Sequence, residues 1–409
     1  MFVPDLQSIC ESESHVVLLF DEEGSCFLGI GCARELVIEK PRPGILEELE
    51  QFVSGENSGW SFGWLGYDLK NEIENLHTRR ENPLGHPVIA WWEPEIVIKF
   101  SETDTEILRG EKDDPRCHEA LDALKRKGGD EGGSGKLTFS LDKEEYLEAF
   151  EDVKALIARG DVYELNLCMP LKGRAEAESS WPLFTRLQRL TSAPFAAYLQ
   201  CGDARIMCGS PERFLKKSGD TLLSSPIKGT VKRGANPEED EALKKSLIES
   251  EKERAENVMI VDLVRNDLSR VAQKATVEVT ELCGIHSFKT VHQMVSTIQC
   301  QLSPDKGLAD ILRATFPMGS MTGAPKIAAM KHIDRLELEG RGIYSGSVGY
   351  ISPTGDFDFN VLIRSLFHNS STRLLMANVG GAITSLSDGD LEYEECLLKA
   401  AAVLKAVRG

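Results

Sequence analysis

The sequence predicts an α+β fold, and three observations carry that expectation. Stretches of β-branched and aromatic residues recur along the chain and are joined mostly by turns. Well-capped amphipathic helical patterns stand among them, and strand and helix do not alternate in the regular way that builds a doubly wound sheet. At 409 residues and 41% hydrophobic content the chain can bury a sizeable core. Its longest apolar runs, such as Val16 to Phe20, are bounded by charge and fall well short of the roughly 20 residues that span a bilayer, so no membrane segment is expected. The N-terminus lacks a basic stretch followed by an apolar one, and a cytoplasmic location is the expectation. Ten cysteines without a C-x-x-C pair read as reduced core thiols, and a formal charge of −18 argues against nucleic acid as a partner.

The elements follow in order. Phe62 to Asp68, Val88 to Trp92 and Ile96 to Ile98 read as sheet segments, giving residues 1–127 the character of a β-rich N-terminal subdomain. The glycine-rich run from Gly128 to Gly135 predicts a flexible linker over 128–136, and residues 137–409 form the larger, catalytic part. Asp142 with Glu145 makes a capping box, Tyr146, Phe150, Val153 and Ile157 follow at helical spacing, and Gly160 ends the helix. A second helix starts at Asn236-Pro237 and is expected to run past Glu256. Strands are expected over Tyr163–Leu167, Leu222–Ile227, Gly346–Ile351, Phe357–Phe367 and Leu374–Val379, with a hairpin turn at Ser352-Pro353-Thr354-Gly355. A helix from about Leu391 to Val407 closes the chain.

Several constellations could carry chemistry. Glu253 and Glu256, like Glu392 and Glu395, stand three apart on helices, so each pair projects from one face. Two such faces could cage a hard cation such as Mg²⁺, although surface helices often carry glutamates at this spacing. Glu212, in Ser210-Pro211-Glu212, could protonate a leaving hydroxyl. In Pro226-Ile227-Lys228-Gly229-Thr230 a hydroxyl and an unobstructed amide could hold a carboxylate. A buried Lys228 would shed its proton and become a nucleophile, whereas a solvated one would be ordinary. The small-residue run Pro317 to Lys326 leads into a helix and suits an anion without the spacing of a P-loop, and His292 alternates with apolar neighbours as core histidines do.

Taken together and in this order, these segments resemble the chorismate-utilising enzymes over roughly residues 140–409. The resemblance rests on Gly160 to Asn166, Gly209 to Glu212, Pro226 to Thr230, Ala255 to Asp267, His292, Gly319 to Lys326, Gly342 to Gly346, Ile363 to Ser365, Gly380 to Ala382 and Glu392 to Glu395. It implies that family's fold of packed, largely antiparallel sheets with outer helices. It also implies a Mg²⁺ site of Glu253, Glu256, Glu392 and Glu395, with Glu256 and Glu395 as direct ligands. Gly229 and Thr230 then hold the ring carboxylate of chorismate. Tyr344, Arg364 and Gly381 surround its enolpyruvyl group, Glu212 is the general acid, and His292 lies near the ring.

Lys228 selects a branch within the resemblance. Anthranilate-forming members usually carry alanine there, whereas lysine is typical of the branch that makes 4-amino-4-deoxychorismate for p-aminobenzoate and folate. The implied enzyme is a Mg²⁺-dependent chorismate aminase in which Lys228 adds to C2 and ammonia enters at C4. The alternatives are an anthranilate synthase component I and a non-catalytic scaffold subunit. Glu164 departs from the glutamine usual in amine-adding members and from the lysine of water-adding ones. No glutaminase nucleophile motif is present, so the implied source of ammonia is a separate glutamine amidotransferase subunit.

Overall fold

A computed structural model describes all residues except 1–2, 56–57, 75, 77, 79, 130–131, 177–178, 290 and 409. Two large antiparallel sheets dominate it, one of eleven strands and one of ten. Along Val16 to Phe20 successive side chains point to opposite faces of the first sheet, and both faces are buried. Val17 and Leu19 join Phe62, Trp64 and Phe359 of the second sheet in a core between the two sheets. Val16, Leu18 and Phe20 face the other way, against a layer that includes the helices Lys143–Arg159, Trp181–Thr191 and Gly389–Arg408. The helix Glu251–Ser269 packs into the inter-sheet core through Ile260, Val261, Val264 and Leu268.

Both sheets cross the glycine-rich stretch. His15–Phe20 and Cys26–Ile30 pair into the sheet that contains Phe195–Cys201, while Ser61–Leu65 pairs with Ser347–Ile351 in the other. The division into a subdomain at 1–127, a linker at 128–136 and a separate part at 137–409 is therefore not how the chain folds. Each half supplies strands to both sheets because the apolar faces of its strands need the other half to cover them. The linker itself is pinned: Gly128 N–H donates to the Val3 carbonyl and Gly135 begins the strand Gly135–Phe139, although residues 130–131 of that stretch lie outside the described ones.

The helix at 143–159 has the expected box, with Glu145 N–H donating to Asp142 and the Asp142 N–H to Glu145, and Gly160 ends it in the left-handed region. The long helix from Pro237 is instead two, Pro237–Glu249 and Glu251–Ser269, broken where Ser250 turns extended and caps the second by accepting from Glu253 N–H. The expected strand Phe357–Phe367 is likewise two. Phe357–Val361 belongs to the ten-stranded sheet and Ser365–Asn369 to the eleven-stranded one, with Arg364 at φ 51° in the passage between them. Among the described residues no helix is long and apolar enough to cross a membrane.

Candidate active site

The predicted residues gather where edges of the two sheets approach each other beneath the helices Glu251–Ser269 and Gly389–Arg408. Glu164 opens the strand Glu164–Ala175 of one sheet, and Lys228 lies in Ile227–Lys232 of the other. The strand holding Lys228 is irregular. Its register against Val291–Gln301 shifts between Ile227 and Thr230, and Gly229 adopts φ 85°. Such a bulge redirects a side chain, here aiming Lys228 inward. The left-handed backbone at Gly229 strains any residue with a Cβ, and that Cβ would also lie 2.9 Å from Glu253 Oε2 and 2.9 Å from Leu247 Cδ1.

Lys228 Nζ donates to Glu164 Oε1 at 2.8 Å, and both side chains are buried, at 9% and 1% exposure. Burial alone would strip the ammonium of its proton, but Glu164 and Glu256 outweigh burial and hold Lys228 above its ordinary range. The expectation of a lysine deprotonated by burial is thus reversed by its partner. Among the described residues the second oxygen of Glu164 is buried without a hydrogen-bond partner.

Glu212 and Arg364 occupy two passages between the sheets. Glu212 lies between Ala204–Ser210 and Arg213–Ser218, which belong to different sheets, as Arg364 does between its own pair. Burial pushes Glu212 up to about 7 against the opposing pull of Ser320, Lys228 and Arg364. Ser320 Oγ donates to Glu212 Oε1 at 2.7 Å. The small-residue run Gly319–Lys326 thus seats the Glu212 carboxyl through Ser320, and its Gly323-Ala324 pairs with Leu165 and Glu164. The half-buried Arg364 feels the charges of Glu212 and Glu395, and no hydrogen bond engages its guanidinium among the described residues. Tyr344 is buried, and its hydroxyl accepts from Cys168 Sγ at 3.7 Å.

The four glutamates on the two helices face one another but do not close. Lys252 Nζ lies 2.7 Å from Glu392 Oε1 and 3.8 Å from Glu256 Oε1, and among the described residues no three of these carboxylates bring oxygens within 4.8 Å of each other. Burial, reinforced by Glu164 and Glu253, raises Glu256 to about 7, and burial raises Glu253 as well. Glu395 is pushed up by burial but ends lowered, because Lys399 donates to it at 2.7 Å. A Cβ on Gly381 would stand 3.0 Å from Glu392 Oε2, so this backbone too comes close to an acid. Among the described residues the buried Glu256 Oε1 has no hydrogen-bond partner. Hard oxygen donors with too little positive charge among them fit a divalent cation such as Mg²⁺.

His292 is placed as its alternation with apolar neighbours predicts, as a satisfied core histidine. Its Nε2 lies 3.0 Å from Asp240, its Nδ1 lies 2.8 Å from the Ser287 hydroxyl, and the ring is buried. Nε2 ties the strand to the helix Pro237–Glu249, and Nδ1 ties it to the neighbouring strand Glu278–Ser287. The neighbouring Gln293 is the residue that reaches the Gly229-Thr230 turn: its Nε2 donates to Thr230 Oγ1 at 3.4 Å, and its Oε1 is buried without a hydrogen-bond partner among the described residues. Adjacent residues of a strand face opposite ways, so one position of register exchanges the two roles. Gln293, Ser320 and Lys252 were not singled out from the sequence. Only the strand pairing that sets Gln293 opposite Thr230 reveals it, and nothing local marks Ser320.

Residues 13–405 match the family of chorismate binding enzymes, and the chain belongs to that family. It is 36% identical over 385 residues to an aminodeoxychorismate synthase of Streptomyces griseus, covering 90% of this chain and 52% of that protein. It is 35% identical over 350 residues to aminodeoxychorismate synthase component 1 of Klebsiella aerogenes, covering 85% and 76%. The chain thus spans about half the length of the Streptomyces relative. The fold is shared with anthranilate synthase component I of Streptococcus pneumoniae, at a TM-score of 0.77 and 24% identity over 95% of this chain and 90% of that one.

Proposed function

We propose that this chain is the chorismate-aminating component of an aminodeoxychorismate synthase, converting chorismate and ammonia to 4-amino-4-deoxychorismate and water. The observation that carries the reading is the buried pair of Lys228 and Glu164 beside the protonatable Glu212. An ammonium cannot attack carbon, and Glu164 is the base within reach to free it. In the first step the Lys228 proton passes to Glu164 and its nitrogen bonds to C2 of chorismate. Both ring double bonds shift, C1=C2 to C1=C6 and C5=C6 to C4=C5, and the C4–O bond breaks as Glu212 donates its proton, so water leaves.

In the second step ammonia bonds to C4 and both double bonds shift back. The C2–N bond to Lys228 breaks, the extra proton of the new amine returns to Glu212, and Glu164 returns its own to the lysine. No net proton is gained or lost. Arg364, whose guanidinium no hydrogen bond engages among the described residues, suits the enolpyruvyl carboxylate as a two-pronged donor. Gly229 and Thr230 offer the ring carboxylate a backbone amide and a hydroxyl, and Tyr344 and Gly381 line the enolpyruvyl side. Glu253, Glu256, Glu392 and Glu395 would hold Mg²⁺, whose contribution when bound is to neutralise substrate carboxylate charge.

Ammonia would come from a separate glutamine amidotransferase subunit, a reading supported by the designation of the Klebsiella relative as component 1. Incubation with chorismate, Mg²⁺ and ammonium tests the proposal. It predicts aminodeoxychorismate without pyruvate release; fluorescent anthranilate and pyruvate would contradict it, and absence of any turnover would favour a scaffold.

A further inference from the structure

We propose that His15, Glu35 and Cys201 form a binding site for a tetrahedral transition-metal ion, best matched to Zn²⁺, that ties the two sheets together at a place remote from the acidic helices. His15 and Cys201 are direct antiparallel partners at the ends of His15–Phe20 and Phe195–Cys201, so their side chains leave the first sheet on the same face. Glu35 arrives from Arg34–Ile38, which belongs to the second sheet. The nitrogen, oxygen and sulfur converge. His15 Nε2 lies 3.0 Å from Glu35 Oε2 and 3.3 Å from Cys201 Sγ, and all three ligand atoms fall within 4.8 Å of one another.

Tetrahedral Zn²⁺ with bonds of about 2.0 Å to nitrogen and oxygen and about 2.3 Å to sulfur places neighbouring donors about 3.3 to 3.6 Å apart. The two edges that meet at His15 therefore need to open by only a few tenths of an ångström. The ring is already oriented. Its Nδ1 lies 2.9 Å from the Ser14 hydroxyl, the outer partner that fixes a ligating histidine, and its face meets the edge of Trp92 at 5.5 Å. His15 is 8% exposed, whereas Glu35 is exposed enough to admit an ion from solvent. The fourth position falls to water or to Cys32, whose thiol interacts electrostatically with both Glu35 and Cys201.

Burial keeps the Cys201 thiol protonated, pushed up to about 12. Binding therefore exchanges a proton for the metal: the S–H bond breaks, the thiolate–metal bond forms, and one H⁺ is released without any change of oxidation state. The competing account is a hydrogen-bonded trio of imidazole, carboxylate and thiol, which takes up no metal.

Cobalt distinguishes the two accounts, because a thiolate gives Co²⁺ a ligand-to-metal charge-transfer band that carboxylates cannot. The full chain would be titrated with Co²⁺ under excess Mg²⁺, which occupies the acidic helices. One equivalent producing a thiolate band, displaced by Zn²⁺ and lost in Cys201→Ser and His15→Ala, is the expected result. Absence of the band in the unaltered protein, or its persistence unchanged in folded Cys201→Ser, would overturn the site. Neither result depends on chorismate turnover.

Discussion

Lys228 Nζ and Glu164 Oε1 lie 2.8 Å apart with almost no access to water. The lysine keeps its proton because Glu164 and Glu256 counter its burial, so any nucleophilic role runs through Glu164. Removing one partner of such a pair strands the other charge, at a typical cost of about 3–5 kcal/mol. Lys228→Ala is predicted to lower unfolding stability by that order, and adding Glu164→Gln should recover most of the loss. Glu164→Gln alone should keep chorismate binding while slowing the chemical step. Urea denaturation of the three variants, with single-turnover rates for the third, checks both expectations.

Glu212 works as an acid only while it carries its proton. With its carboxyl raised to about 7, the rate should fall as pH climbs through about 7. Glu212→Gln cannot donate, so it should lose about 10²–10⁴-fold in kcat, the usual range for a general acid, and flatten the alkaline limb. A pH–rate profile of both forms decides; a limb that survives in the variant would assign the proton elsewhere.

Glu256 has the same shifted carboxyl and the opposite requirement, since a cation needs it ionised. Mg²⁺ affinity should therefore weaken as pH falls through about 7, with proton release measurable by calorimetry in buffers of different ionisation enthalpy. The sign for stability runs the other way. A carboxyl whose folded pKa is raised from 4.5 to about 7 favours the folded state below pH 4.5. That advantage disappears as pH rises to about 7, at up to about 1.4 kcal/mol per pH unit. Glu256→Gln should remove its share of that slope in Mg²⁺-free denaturation curves.

Gln293 and His292 separate binding from structure. The Gln293 amide touches Thr230, so Gln293→Ala should raise KM for chorismate with little change in stability. His292→Ala breaks the links to Asp240 and Ser287 and should lower the melting temperature before it affects KM. The reverse pattern in steady-state kinetics and thermal melts would restore His292 to the substrate side.

The parts legible in the sequence were those governed by local rules. The capping box at Asp142 and Glu145 with the stop at Gly160, the Ser352–Gly355 turn and the paired glutamates all depend on short spacings. What escaped depended on the partner strand. The passage at Arg364 interrupts an unbroken β-favouring run because the two flanking segments join different sheets. His292 and Gln293 differ by one position, and only pairing with Thr230 fixes which faces the turn. Glu164 was legible as a departure from the family pattern but not as the partner of Lys228, 64 positions away.

The central claim is a covalent bond between Lys228 and the substrate ring. Rapid acid quenching during turnover with chorismate and Mg²⁺ but limiting ammonia, followed by peptide mass spectrometry, tests it directly. The account predicts a chorismate-derived adduct, formed with loss of water, on the peptide carrying Lys228, decaying when ammonia is supplied and absent from Lys228→Ala. Full turnover with an unmodified Lys228 peptide at every time point would contradict it.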